Sequence, residues 1–201
     1  TNGTLLDDEI IDYINENMDN VVISLDGRKE VNDAMRYDRR GHGSYSRIVP
    51  LARKLVERRN GKQYFIRGTF TAKNFDFAED VFHIAGLGFK EISIEPVVGT
   101  GDALHLTEKH IQVILDEYDK LAKRYLDYKA SENDLRFYHF NINLYDGPCV
   151  HRRVLACGAG FEYLAVSPEG YLYPCHQFVG HEEFILGSVD KGIQNDDMVS
   201  L

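Results

Sequence analysis

The chain has 201 residues, 43% of them hydrophobic and 27% charged, a composition typical of a globular protein with a sizeable core. Its formal net charge of −9 argues against non-specific binding to nucleic acid, which depends on neutralising phosphates. No apolar run approaches the roughly 18–20 residues that span a bilayer, and an odd count of three cysteines suits a reducing compartment. We therefore expect a cytoplasmic protein without a nucleic-acid or membrane partner.

The first 145 residues alternate between short β-type runs and helical patterns. Apolar residues at helical spacing predict a helix from Leu6 to Met18, and the run Val21–Leu25 predicts a strand that ends at Asp26-Gly27. A polar loop that carries arginines should follow, and then a helix from Ile48 to Arg58. Residues 36–62 hold nine Arg or Lys, which predict either a solvated helix face or a surface for anions and acidic peptides.

The same alternation continues along the chain. The further predicted elements are a strand Tyr64–Phe70, a helix Phe75–Leu87, a strand Glu91–Glu95, a helix from about Thr107 to Tyr128 and a strand Phe137–Leu144. The long helix should bury one stripe of side chains, namely Ile111, Ile114, Leu115, Tyr118, Leu121, Ala122 and Tyr125. Strands that alternate with helices imply βαβ units and a parallel sheet.

Two architectures fit this order of elements. Right-handed crossovers produce either an open doubly wound sheet or part of a (β/α) barrel, and periodicity alone does not separate them. In both, functional residues belong at the carboxyl ends of the strands. That rule selects Ser24 and Asp26, Arg67 and Thr69, and the segment from Glu95 to Val98.

The alternation of strand and helix patterns ends after Tyr145-Asp146-Gly147-Pro148. Residues Phe161–Ser167 and Tyr171–Tyr173 predict a β-hairpin with a turn at Pro168-Glu169-Gly170. The flanks of this hairpin carry Cys157 and Cys175, and a hairpin brings its two flanks together.

All three cysteines lie between residues 149 and 175. Cys157, Gly170 and Cys175 form the pattern C-x(12)-G-x(4)-C, and Cys149 would enter from the preceding loop. Three thiolates without a fourth suit an iron–sulfur cluster or, with His151 or His176, zinc. Three unrelated buried thiols are the remaining alternative, because free cysteine often behaves as a small hydrophobic residue.

The segment from Cys157 to Cys175 resembles the start of a SPASM domain, the cluster-binding extension of many radical S-adenosylmethionine (SAM) enzymes. Upstream, Thr1-Asn2-Gly3, Ser24-Leu25-Asp26-Gly27 and Asn32-Asp33-x-x-Arg36 resemble the second and third strand ends of the radical SAM barrel. Three segments are most similar to the six-cysteine (SCIFF) peptide maturases, namely Gly147-Pro148-Cys149, Cys157 to Val166 and Tyr173 to Gly180. The resemblance covers essentially the whole chain.

The resemblance implies a fold, a reaction and partners. Residues 1–145 would form the C-terminal part of a partial (β/α) barrel of the radical SAM type, and residues 146–201 the start of a SPASM auxiliary-cluster domain that contains the hairpin. In this family a reduced [4Fe–4S] cluster cleaves SAM to a 5′-deoxyadenosyl radical, which abstracts hydrogen from a peptide. A substrate cysteine then forms a thioether in the SCIFF group. The implied partners are a cysteine-rich precursor peptide and a ferredoxin or flavodoxin as electron donor.

The resemblance also implies roles for individual residues. The ligands of an auxiliary [4Fe–4S] cluster would be Cys149, Cys157 and Cys175. The contacts to SAM would be Ser24, Arg36 and Val98, with Val98 near the adenine; a guanidinium suits a carboxylate held by two hydrogen bonds. Residues that contact the substrate or support a cofactor would be Asp26, Arg67, Glu95 and His176, of which Arg67 and Glu95 are selected by their strand-end positions and not by the resemblance. Asp26 is alternatively a turn and helix-start residue, and Arg36 a surface arginine.

Two departures from the family pattern limit this interpretation. No cysteine precedes Cys149, so the C-x(3)-C-x(2)-C motif of the SAM-cleaving cluster is absent, and we expect an inactive internal fragment of a longer enzyme. Sulfatase-maturing relatives carry an aspartate after the Tyr-Pro-Cys cysteine, whereas this chain has His176. The alternatives to a SCIFF maturase are another SPASM maturase, including a sulfatase-maturase-like one, and a non-catalytic peptide-binding remnant.

Overall fold

The computed structural model describes residues 1–99, 103–141, 158–160 and 162–195. The chain divides into two compact units, Thr1–Ile142 and Asn143–Leu201. No helix in the described part of the chain has both the length and the apolar character needed to cross a membrane.

The first unit is built on a four-stranded parallel sheet. Its strands, in the spatial order β1-β2-β3-β4, are β1 (Asn20–Ser24), β2 (Gln63–Phe70), β3 (Glu91–Pro96) and β4 (Arg136–Phe137). Its helices are α1 (Asp8–Asn17), α2 (Lys29–Met35), α3 (Tyr45–Glu57), α4 (Phe77–Gly86) and α5 (Ile111–Ala130). The alternation of strands and helices predicted from the sequence is confirmed.

The order of the strands distinguishes the two architectures that periodicity left open. Four parallel strands follow one another in chain order, and right-handed crossovers then place every connecting helix on the same face of the sheet. A doubly wound sheet would require the order to reverse. The fold is therefore of the barrel type, as predicted.

The two faces of the sheet differ in character. A row of buried side chains crosses all four strands in register, namely Ile23, Ile66, Ile92 and Phe137. The adjacent row, which points to the opposite face, consists of Ser24, Arg67 and Ser93. We call this second surface, with its polar row, the open face.

Three details of the sequence interpretation were wrong. The polar loop after β1 contains helix α2, which is held by Asp33: its carboxylate accepts hydrogen bonds from Lys29 Nζ at 2.6 Å and from the Tyr45 amide at 2.8 Å. This seven-residue helix depends on those contacts, and its sequence shows no long apolar periodicity that would have predicted it.

In α5, Ile111 and Leu115 are each 53% exposed, whereas Leu121 is buried, so the buried stripe is shorter than predicted.

The closing strand is also shorter than predicted. Within the described residues of the predicted strand, only Phe137 pairs with β3, as part of β4 (Arg136–Phe137), and the chain then forms a 3-10 turn at Tyr138–Phe140. Phe137 packs edge-on against Phe140 at 5.1 Å between ring centroids, so the aromatic run that suggested a strand instead folds onto itself. Residues 142–144 of the predicted strand lie outside the described part of the chain.

Much of the basic stretch 36–62 packs against α1. The buried guanidinium of Arg59 donates to the carbonyls of Met18 at 3.2 Å and Asp19 at 2.7 Å, which follow the end of α1. Lys62 Nζ donates to the carbonyl of Asn15 at 2.7 Å. These cations satisfy carbonyl groups that the end of a helix leaves unpaired. At the surface, Lys54 and Arg58 form ion pairs with Asp8.

The second unit contains a small antiparallel sheet. Its strands, in spatial order, are β5 (Ala165–Val166), β6 (Tyr171–Tyr173), β7 (Gly187–Ser188) and β8 (Gly192–Ile193). The predicted hairpin is confirmed as β5–β6, because the Gly170 amide donates to the Ser167 carbonyl at 2.9 Å and closes the turn. Gly170 has a φ of +86°, a conformation that glycine adopts at little cost.

Candidate functional site

Polar side chains collect at the carboxyl ends of β1, β2 and β3. Arg67 lies between Ser24 and Ser93 in register, and Thr69 lies opposite Glu95 on the neighbouring strand. Asp26 lies two residues beyond the end of β1, and its carboxylate accepts a hydrogen bond from the Thr69 amide at 3.0 Å. Five residues selected by the strand-end rule, namely Ser24, Asp26, Arg67, Thr69 and Glu95, therefore lie on neighbouring strands at or near one edge of the sheet.

Asp26 and Arg36 form a two-point ion pair. Arg36 Nε donates to one oxygen of the buried Asp26 carboxylate at 2.6 Å, and Nη2 donates to the other at 2.9 Å. Arg36 is therefore oriented by Asp26, and three of its five N–H groups are free of this pair. The carboxylate of Asp26 caps no helix, so its role differs from that of a helix-start residue.

A second ion pair fixes the loop between β1 and α2. The Asp80 carboxylate, which is completely buried on α4, accepts hydrogen bonds from both the amide and Nε of Arg28 at 2.9 Å each. Burial raises the pKa of Asp80, and the contacts with Arg28 oppose that rise. Gly27 approaches Asp80 so closely that an added Cβ would lie 2.3 Å from the carboxyl group. This loop carries Asp26, so its rigidity holds the Asp26–Arg36 pair in place.

Glu95, at the end of β3, receives hydrogen bonds from two side chains. Ser93 Oγ donates to Oε1, and His139 Nε2 lies 2.9 Å from Oε2. On the other side of the ring, His139 Nδ1 lies 2.8 Å from the Tyr118 hydroxyl. The hydrogen bond from His139, with smaller contributions from Ser93 and the charge of Arg67, outweighs burial and lowers the pKa of Glu95 to about 2.

Tyr118 and His139 were not identified as site residues from the sequence. Tyr118 was assigned to the buried stripe of α5, and His139 lay within a predicted strand. Burial and the charge of Glu95 raise the pKa of Tyr118 to about 12. The sequence signal that could have revealed His139 is its position two residues after the end of a strand, since strand ends carry the polar groups in this chain.

At the strand ends, Arg67 and Val98 are the exposed members of the predicted site. Within the described residues, no hydrogen bond or ion pair engages the Arg67 guanidinium, although its charge acts on Glu95. The Val98 side chain is 80% exposed beyond the end of β3. Arg67 therefore has five N–H donors, and Val98 an apolar side chain, that are accessible to a ligand.

A cleft of about 590 Å³ adjoins Arg36 on the side of α2 and α3. Its lining combines polar residues such as Asn2 and Ser44 with the apolar Ile48, and Arg36 and Arg47 contribute two guanidinium groups. Of the residues predicted to contact SAM, only Arg36 lines it. The cleft therefore adjoins the Asp26–Arg36 pair.

In the second unit, Cys175 is the described member of the cysteine set. It is 8% exposed, and its Sγ lies 3.6 Å from Nδ1 of His176. The Gly160 amide donates to the Pro174 carbonyl at 2.9 Å, so the strand-flanking segments approach each other next to Cys175. Cys149 and Cys157 lie outside the described residues, and within those residues no three His, Cys, Asp or Glu side chains are grouped to hold a metal.

Comparison with solved structures identifies the fold. The chain is similar to native anSMEcpe with bound AdoMet, an anaerobic sulfatase-maturating enzyme of the radical SAM/SPASM class, with a TM-score of 0.71 and 19% identity over 98% of this chain. It is also similar to native anSMEcpe with bound AdoMet and Kp18Cys peptide, with a TM-score of 0.67 and 19% identity over 98% of this chain.

The comparisons support the architecture predicted from the sequence. A partial barrel of the radical SAM type followed by a hairpin-containing segment is the fold of this chain. The chain spans about half of these neighbours, 54% and 55% of their lengths. No protein-family model matches the sequence, and no match is found among curated proteins.

Proposed function

We propose that this chain is part of a radical SAM enzyme that modifies a peptide. The observation that carries the proposal is a parallel sheet whose strands follow one another in chain order. Polar and charged side chains lie near its carboxyl edge, namely Asp26, Arg36, Arg67 and Glu95. The fold is similar to that of structures that contain AdoMet and peptide. The C-x(12)-G-x(4)-C pattern of the second unit supports the same class.

The proposed SAM contacts are compatible with the geometry at the edge of the sheet. Arg36 keeps three N–H groups for a carboxylate after pairing with Asp26, and Ser24 presents its hydroxyl on the open face. Val98 offers an exposed apolar side chain to a base. When bound next to its reduced cluster, SAM would supply a 5′-deoxyadenosyl radical; this chain would bind and orient it.

The proposed auxiliary cluster rests on the chemistry of its ligands. Cys149, Cys157 and Cys175 are thiolate donors, which iron–sulfur clusters prefer. The hydrogen bond between Gly160 and Pro174 supports an approach of the Cys157 and Cys175 flanks. His176 would lie beside Cys175 as a hydrogen-bond donor to sulfur.

Two reaction types are candidates for the peptide modification. The presence of His176 where sulfatase-maturing relatives have aspartate favours a thioether-forming enzyme of the SCIFF kind, which acts on a cysteine-rich precursor peptide. The similarity in fold to sulfatase-maturating structures favours the second candidate, a sulfatase-maturase-like enzyme. In either case ferredoxin or flavodoxin would supply electrons, and the SAM-cleaving cluster would be bound by the longer protein.

Metal analysis after anaerobic reconstitution tests the proposal. We expect the protein to take up iron and sulfide, and uptake to fall when the three cysteines are replaced by alanine. Zinc uptake without iron would contradict the cluster. Mass spectrometry then separates the two candidates: a thioether requires the loss of two hydrogens, one from the thiol and one from carbon, localised to a cysteine cross-link.

A further inference from the structure

Three side chains connect α5, the end of β3 and the turn after β4. Tyr118 belongs to α5, Glu95 to β3 and His139 to the turn Tyr138–Phe140. From this arrangement we propose that Tyr118 and His139 are positioning residues, which hold Glu95 as a hydrogen-bond acceptor for a neutral group of a bound ligand, with Arg67 beside it as the donor. The inference rests on the proposed function, since the ligands concerned are SAM and the peptide.

The hydrogen bonds that connect Tyr118, His139 and Glu95 have a defined direction. An ionised carboxylate only accepts, so His139 Nε2 carries the proton that is donated to Glu95 at 2.9 Å. Tyr118 keeps its proton at neutral pH, because burial raises its pKa to about 12, and its hydroxyl can donate to His139 Nδ1 at 2.8 Å. Nε2 of His139 is therefore a donor and Nδ1 an acceptor, and the hydrogen bonds run from Tyr118 to His139 and from His139 to Glu95.

Glu95 retains acceptor capacity that the protein does not use. A carboxylate has about four lone-pair positions, and Ser93 and His139 occupy two of them. The side chain is 27% exposed, so it remains accessible. Both ring nitrogens of His139 are engaged, which makes Glu95, rather than the imidazole, the group that can contact a ligand.

Arg67 determines the kind of ligand group that fits. It lies on the neighbouring strand opposite Ser93, and its positive charge lowers the pKa of Glu95. A cation beside Glu95 would be repelled by Arg67, whereas a neutral group that both donates and accepts would satisfy the two side chains together. A peptide amide and the ribose diol of SAM both have this chemistry.

Binding measurements on the reconstituted full-length enzyme test the inference, with SAM and the Kp18Cys peptide as separate probes. We expect Glu95→Gln and His139→Phe each to weaken binding of one probe by about tenfold, as for a charged hydrogen bond, and the double variant to be no weaker than either single one. His139→Gln, which can both donate and accept, should restore part of the affinity. The affected probe identifies the ligand as peptide or SAM.

A matched control and the remaining outcomes distinguish a failure of this inference from a failure of the proposed function. Arg136→Gln changes an exposed ion pair with Glu91 on the same strands and should leave both affinities unchanged. If the wild type binds a probe and the His139 variants bind both within twofold of it, the inference is overturned while the proposed function stands. A wild type that binds neither probe overturns the proposed function and the inference with it.

Discussion

Asp26 fixes the orientation of the Arg36 guanidinium at the edge of the sheet. The arginine reaches the site from the end of α2, and without a partner its long side chain would sample many conformations. The two hydrogen bonds from Nε and Nη2 to one buried carboxylate fix its plane. Asp26 is therefore the residue through which the β1–α2 loop orients Arg36.

Replacing Asp26 by asparagine should weaken the binding of SAM to the full-length enzyme by about tenfold, because Arg36 loses its charged partner. The same variant should lower the free energy of unfolding by about 1–3 kcal/mol, since it leaves a polar pair imperfectly matched. Isothermal titration and urea unfolding measure the two effects. Glu30→Gln, at a 72% exposed side chain, is the control; an Asp26→Asn protein with unchanged SAM affinity would contradict the role of the pair.

Glu95 should make a pH-dependent contribution to stability. Its pKa in the folded protein, about 2, lies below the ordinary value of 4.5, so the stabilisation is present above pH 4.5 and is lost as the pH falls toward 2. The difference in melting temperature between the wild type and Glu95→Gln should therefore shrink steadily below pH 4.5. A difference that stays constant from pH 6 to pH 3 would show that the carboxyl is not held ionised.

The sequence predicted part of the site because strand ends are recognisable. Ser24, Asp26, Arg67 and Glu95 follow apolar runs, and parallel strands bring their carboxyl ends to one edge. His139 was missed for a physical reason: it lies in a turn whose aromatic neighbours resemble a strand. Partners across the fold, such as Tyr118 on α5, leave no local pattern in the sequence.

At the scale of the elements, long-range polar contacts hold the helices on the sheet. The buried Arg59 connects the end of α3 with the end of α1, because its guanidinium donates to the carbonyls of Met18 and Asp19, which follow α1. The basic stretch that suggested either a solvated face or an anion surface thus serves partly as a clamp between two helices.

Replacing Arg59 by methionine should lower the free energy of unfolding by about 2–4 kcal/mol, because the carbonyls of Met18 and Asp19 would lose the donor that the buried guanidinium supplies while the side-chain volume is nearly kept. Urea unfolding followed by circular dichroism measures this change. Arg40→Met serves as the control, since its exposed side chain makes no hydrogen bond in the described part of the chain. Equal unfolding midpoints for the two variants would contradict the clamp.

Elements with a strong apolar period were predictable, and elements that depend on tertiary contacts were not. Helices α1, α3 and α4 and strands β1 to β3 fall where the periodicity places them. Helix α2 was not predicted, because it is stabilised by the contacts of Asp33 with Lys29 and Tyr45 and not by an apolar periodicity. Strand β4 was overestimated because aromatic residues have high strand propensity even when they form a turn.

At the scale of the whole molecule, the order of the strands connects the fold with the proposed function. Sequential parallel strands with helices on one face leave the other face, with Ser24, Arg67 and Ser93, available as the inner surface of a barrel. Functional groups then meet at its carboxyl edge. The second unit carries the hairpin whose flanks contain the cysteine pattern.

The central claim, that the carboxyl edge of the sheet serves a radical SAM reaction, is tested most directly by measuring 5′-deoxyadenosine. The full-length protein, reconstituted anaerobically with iron and sulfide and then reduced, should release 5′-deoxyadenosine from SAM, and Arg36→Ala should reduce the rate at least tenfold. Release by the wild type with that loss is the predicted result. A reconstituted, iron-loaded wild type that releases no 5′-deoxyadenosine would contradict the claim.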